Sequence, residues 1–273
     1  MFGKLMNYEL RYLSRIFVPM WVVVLLLCVL TRILVPFSGD AVTFIEGNRA
    51  AVTAIVVFLT VLAVLTSVLV TFIVVLQRYT KGLFGDEGYL LFTLPVTTWQ
   101  LVHAKGLSAV LMLVITETVT VLGVVIAASH NAVLGQISNL YGMVMYMNDL
   151  SAAGVAMQIF WIILASIATM AQGVYQIYLA ITMGQMWKKH PVIGAIAAFY
   201  GVQLVISAIE YGVTMLLGLT PQMLWNSALW IVNGADWMQM LMVMGYVIGK
   251  SVILVLLFSF LSKLFLEKRL ELQ

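Results

Sequence analysis

Six apolar runs, each long enough to cross a hydrocarbon core as a helix, constrain this chain more than anything else in it. A core of about 30 Å needs about 20 helical residues. Runs over 16–37, 50–76, 107–128, 154–186, 191–219 and 237–265 meet that requirement. None alternates apolar and polar residues in the way barrel strands do. The chain is 63% hydrophobic and 9% charged, where ordinary soluble domains are about 25% charged. The predicted fold is therefore all-α and membrane-integral, a single transmembrane domain over 1–273 with no soluble catalytic domain.

The segments between the runs set the order and the orientation. Residues 1–15 place Phe2, Leu5, Met6, Leu10 and Leu13 on one helical face and Lys4, Tyr8, Arg11 and Arg15 on another. That pattern predicts an amphipathic helix lying in the membrane interface. The first run is long enough to span and no small-residue cleavage site follows it, so it reads as a retained span. Trp187 to His190 form a tight turn, with Pro191 suited to open the fifth span. Lys4, Arg11, Arg15, Arg78, Lys81, Lys105, Lys188, Lys189, Lys263, Lys268 and Arg269 fall on one side of a six-span layout. Only Arg49 and the span-edge Arg32 fall on the other. This bias predicts that both termini are cytosolic.

The longest polar-edged interruption runs from Arg78 to Lys105. Gly85 permits a tight approach, Asp86 can cap a helix, and Glu87 puts negative charge on its first turn. Tyr89, Leu90, Leu91 and Phe92 supply an apolar body, and Pro95 ends it. Thr97 and Gln100 then fit a capping box for the next helix. The stretch predicts a short surface helix on the cytosolic side, available to a soluble partner.

Three charges fall inside spans: Glu117, Glu210 and Lys250. A charge at mid-bilayer costs about 2.5–3.5 kcal/mol, so it should face protein or water. Residue counts put Glu117 and Lys250 at one depth and Glu210 and Arg32 at another, which predicts the ion pairs Glu117–Lys250 and Glu210–Arg32. Polar stripes at helical spacing run along the second span (Thr53, Thr60, Ser67, Thr71), the fourth (Ser166, Thr169, Gln172, Gln176) and the fifth (Tyr200, Gln203, Ser207, Glu210, Thr214). Such faces avoid lipid. The fourth stripe reads as helix packing; Thr60, Ser67, Gln203, Ser207, Glu210 and Thr214 read as lining a substrate path. Gly245-x-x-x-Gly249 is a close-packing motif.

Several chemistries lack their residues. The methionine clusters at 143–147 and 238–244 have no His or Cys beside them, and methionine fills irregular apolar contacts readily. His103, His130 and His190 lie at span ends and in loops, and Cys28 is the sole cysteine. No metal site is predicted. The chain carries no H-E-x-x-H, G-x-S-x-G or G-x-x-x-x-G-K-[ST], so neither protease nor hydrolase nor ATPase activity of its own is expected. Its basic residues sit at span ends, which predicts lipid headgroups rather than nucleic acid as partners.

The run QRYTKGLFGDEGYLLFTLPVTTWQLVHAKGL resembles the cytosolic loop of small bacterial ABC-transporter permeases of the type-2 exporter class, those of Gram-positive gut bacteria especially. MFGKLMNYELRYLSRIFVP is similar to the interfacial helix that opens these subunits, and the layout agrees over the whole chain. The resemblance implies a non-catalytic permease subunit in the bacterial plasma membrane, paired with a second permease, identical or a sister chain. It implies two copies of a cytosolic ATP-binding subunit that hold ATP and Mg. It makes Asp86 to Thr93 the coupling helix, with Gly85, Asp86, Glu87, Gly88, Tyr89 and Phe92 against the ATPase. The family lines its central cavity largely with the second and fifth spans; Lys250 has no role in that pattern. The short outer loops suggest a hydrophobic or amphipathic compound, or a peptide, as cargo. The alternative is a proton-coupled secondary transporter working through Glu117 or Glu210.

Overall fold

A backbone in lipid has no water to bond, so each apolar run satisfies its own N–H and C=O groups as a helix. The structure, a computed structural model, describes residues 2–34, 46–85, 88, 96–128, 152–187, 189–216 and 237–270. Within these the chain forms six long helices: α1 Phe2–Leu34, α2 Glu46–Phe84, α3 Thr98–Ala128, α4 Ala152–Gly184, α5 Pro191–Leu216 and α6 Trp237–Leu270. All six are long and apolar enough to cross a membrane, and the protein is a multi-pass membrane protein.

Two boundaries differ from the sequence expectation. The predicted interfacial helix over 1–15 and the span over 16–37 are one helix, α1, with Pro19 inside it. The basic residues Lys4, Arg11 and Arg15 do not break the helix, because their side chains stand away from the buried stripe Leu5, Glu9, Leu13 and Phe17. Helix α2 has 39 residues, about 58 Å at 1.5 Å per residue, so it outruns the predicted span at both ends. Hydropathy marks where a helix leaves lipid and not where its hydrogen bonding stops. The start of α3 at Thr98 follows the predicted cap: Thr97 Oγ1 accepts from the Gln100 N–H at 3.3 Å. Likewise α5 opens on Pro191.

Helices α1 and α3 run parallel in close contact. Glu9 meets Lys105, Trp21 donates to Thr116 Oγ1 at 3.0 Å, and Cys28 packs on Gly123, so the register holds over about five turns. Helix α2 packs antiparallel beside them. Helix α4 lies against α6 and α5 and joins them to α2 and α3. The starts of α1 and α3 and the ends of α2, α4 and α6 share one end of the bundle, called the terminal end below.

Close helix approach is carried by glycines other than the predicted pair. A Cβ on Gly245 or Gly249 would meet nothing within 4 Å. At Gly106 it would run into the Tyr175 ring, and at Gly184 into the backbone of Ala195. The α4–α5 turn therefore depends on Gly184. Gly184→Ala should lower stability by about 1–3 kcal/mol, the usual range for overpacking, read as a fall in thermal midpoint in detergent. Gly245→Ala, with open space around it, should leave the midpoint unchanged.

Candidate functional site

Two constellations of charge stand out. The first lies at the terminal end, where the stripe of α1 that faces α3 carries one acid among its apolar residues. Glu9 is fully buried between Leu5 and Leu13. Its Oε2 accepts from Arg78 Nε at 2.7 Å and its Oε1 from Arg78 Nη2 at 3.3 Å. Lys105 Nζ reaches the same Oε1 at 2.7 Å. Arg78 and Lys105 are themselves almost wholly buried. The guanidinium lies 4.1 Å from the Tyr12 ring centroid and 5.7 Å from that of Tyr8. These ring faces offset part of the excess positive charge. A Cβ on Gly82 would strike the Lys105 amine, so this glycine gives the lysine its passage to Glu9.

Arg78 and Lys105 are the two ends of the polar interruption singled out in the sequence. One carboxylate on the N-terminal helix therefore holds both ends of that segment. Aromatic contacts tie the same region to the second half of the chain. Tyr79, next to Arg78, stacks on Tyr178 with centroids 3.7 Å apart, and its hydroxyl lies 2.9 Å from Thr182 Oγ1. His103 Nδ1 is 2.9 Å from the Tyr175 hydroxyl, and Thr98 Oγ1 donates to Glu267 at 2.8 Å.

Within the interruption, the Gly85 N–H donates to Lys81 O at 3.1 Å and the Gly88 N–H to Gly85 O at 2.8 Å. Gly85 is exposed, whereas Gly88 is buried, close enough to Leu83 O that a Cβ would collide with it. Gly88 thus closes the turn after α2. Asp86, Glu87, Tyr89 and Phe92, and with them the predicted coupling helix, lie outside the described residues.

The second constellation is inside the membrane span, on α4, α5 and α6. Lys250 Nζ bonds Glu210 Oε1 at 2.8 Å, with the side chains 25% and 33% exposed. Gln176 Nε2 donates to Gln203 Oε1 at 2.8 Å, and Ser251 Oγ donates to Gln172 Oε1 at 3.0 Å. The predicted ion pairs are thereby rearranged. Lys250 takes Glu210 rather than Glu117, and the acid predicted for Arg32 is the one that Lys250 holds. Residue counting gives depth but not azimuth, and α6 presents Lys250 toward α5. Glu117 is exposed and has no partner among the described residues.

The predicted path residues divide. Gln203, Ser207 and Glu210 share an open flank of α5, with Ser207 and Gln203 exposed. Thr214 is buried and bonds its own helix at Glu210 O. On α2, Thr60 pairs with Thr31 at 2.6 Å across the contact with α1. Ser67 is buried and donates to Val64 O. Thr60 is therefore spent on helix packing, and so are Gln172 and Gln176 on α4.

Glu9 was missed by sequence reasoning, although a signal existed. An acid at i+4 from Leu5 and i−4 from Leu13 sits on the apolar stripe, not among the surface charges. Among the described residues no three His, Cys, Asp or Glu side chains gather at metal-binding distance. No protein family, no curated protein and no solved structure matches this chain.

Proposed function

We propose that this chain is the membrane-spanning permease subunit of an ATP-driven exporter of the ABC type-2 class, in a bacterial plasma membrane with both termini in the cytosol. The observation that carries the reading is the Arg78–Lys105 segment. Its sequence resembles that family's coupling loop, and both its ends are fixed on Glu9. A segment that transmits force needs rigid mounts, and buried charge-assisted bonds supply them. The open polar flank of α5, with Glu210 held by Lys250, is a second support, since a path for cargo needs polar groups inside the span.

In this mechanism two copies of a separate ATP-binding subunit, with ATP and Mg, close on one another. The 86–93 segment follows them through Gly85, Asp86, Glu87, Tyr89 and Phe92. The motion passes through Arg78 and Lys105 to α1, α2 and α3, and through Tyr79 and Tyr178 to α4. The chain catalyses nothing itself. It binds an amphipathic compound or peptide differently in two states, beside a second permease subunit.

The test is purification in mild detergent from the native host, with mass spectrometry and an ATPase assay. A P-loop ATPase is expected to co-purify with the wild type and to be lost with Asp86→Lys, Glu87→Lys, while the variant keeps its thermal midpoint. A folded wild type that brings no ATPase removes the reading and favours proton-coupled transport through Glu117 or Glu210.

A further inference from the structure

Glu117 has a place in the fold that neither the ion pairs nor the α5 flank explains. On α3 the residues Gly106, Val110, Leu113 and Glu117 follow one another at steps of four, three and four, and so form one stripe. The lower part of that stripe faces α4: Gly106 lies under the Tyr175 ring, and Leu113 shares a cavity with Met170, Gly173 and Val174. This cavity, of about 160 Å³, is apolar and also borders Phe72 and Val75 of α2. Glu117 is the next residue of the stripe, one turn beyond the cavity.

From that level outward the stripe becomes exposed. The ring and polar contacts described between α1–α3 and α4–α6 all lie toward the terminal end. Farther out, Val121 and Val124 on α3 are about half exposed, as are Ile163 and Phe160 on α4. Glu117 thus stands at the mouth of an apolar cleft whose floor is the cavity. It is the sole charge on that α3 stripe, and no described residue pairs with it.

We propose that this cleft binds an amphipathic cation, with the apolar part in the cavity and the positive group on the Glu117 carboxylate. The charge complementarity is direct. A carboxylate within the span is costly in lipid and needs a cation or a donor beside it, and the cleft supplies neither. An anion of the same shape would add a like charge at low dielectric. As a cargo site the cleft rests on the transport reading above. Binding itself needs neither nucleotide nor ATPase, so its failure and the absence of an ATPase partner are separate results.

The test is equilibrium binding of tetraphenylphosphonium to the purified full chain in detergent, with tetraphenylborate as the equal-shaped anion. Wild type should bind the cation and not the anion. Glu117→Gln should weaken the cation by about tenfold or more, as loss of a buried charge-assisted contact does. Gly173→Leu fills the cavity, where a Cβ meets nothing within 4 Å, and should weaken binding while leaving Glu117 in place. Lys263→Ala, in an exposed pair far from the cavity, should not change it. The proposal is overturned if wild type does not bind the cation, if it binds both ions alike, or if Glu117→Gln binds as wild type does. Dissociation of an oligomer by Glu117→Gln, with cation binding intact, would assign the residue to a helix interface instead.

Discussion

Glu9→Ala should be among the most damaging single substitutions in this protein, lowering stability by about 3–5 kcal/mol. The reason is the company the carboxylate keeps. Glu9 is fully buried, with Arg78 and Lys105 each 2.7 Å from it. Its removal takes away the carboxylate that both buried cations bond. The rings of Tyr8 and Tyr12 would remain, but a cation–π contact offsets only about 0.5–2 kcal/mol. Arg78 and Lys105 are almost wholly buried where they stand. A useful comparison is Lys263→Ala, which breaks a 3.7 Å pair with Glu267 on an exposed surface and should change stability by about 0–1 kcal/mol. The measurement is thermal unfolding in detergent, followed by tryptophan fluorescence. Equal midpoints for Glu9→Ala and Lys263→Ala would show that the triad is not the keystone described here. The triple variant Glu9→Leu, Arg78→Met, Lys105→Met separates folding from coupling. Replacing all members of a buried ion cluster by apolar groups is often neutral or stabilising. On the exporter reading it should therefore fold and still lose the cargo-stimulated part of the partner's ATPase activity.

The contrast between what was legible and what was not follows from the geometry of helices in lipid. Length and hydropathy alone located all six helices, because a chain without water has few other options. Local chemistry at helix ends was legible too, since the Thr97 cap and the Pro191 start involve only neighbours in sequence. What failed was most of what depends on rotation about a helix axis relative to another helix. Lys250 and Glu117 occur at similar counted depths, yet α6 turns Lys250 toward Glu210 of α5. Thr60 belongs to a polar stripe like that of α5, but it meets Thr31 of α1 and is consumed in packing. Gly245 and Gly249 match a packing motif and touch no helix among the described residues, while Gly106 and Gly184, outside any motif, make the close approaches. The N-terminal charges suggested a separate surface helix, and the one acid that is not on the surface, Glu9, went unread among them.

Breaking the Glu210–Lys250 pair from one side should be the second large effect. Lys250 lies roughly 20 Å along α6 from Lys263, well inside a core of about 30 Å. Lys250→Ala leaves Glu210 as an isolated carboxylate at that depth, at a cost of about 2.5–3.5 kcal/mol on insertion scales. Glu210→Gln strands the lysine in the same way. Both should lower the amount of protein reaching the membrane and the thermal midpoint of what is purified. The double variant Glu210→Gln, Lys250→Met removes both charges and should recover most of the loss, because no charge is left alone in the span. The cycle should return a coupling of about 0.5–3 kcal/mol. Additive single effects would mean that the 2.8 Å contact contributes nothing and that each charge is solvated separately. Function then distinguishes a strut from a path. If the pair only holds α5 to α6, the recovered double variant transports as the wild type does. If the α5 flank guides cargo, as the exporter reading requires, the double variant is stable and inactive, because Gln203 and Ser207 remain but the charges that set the polarity of the path are gone.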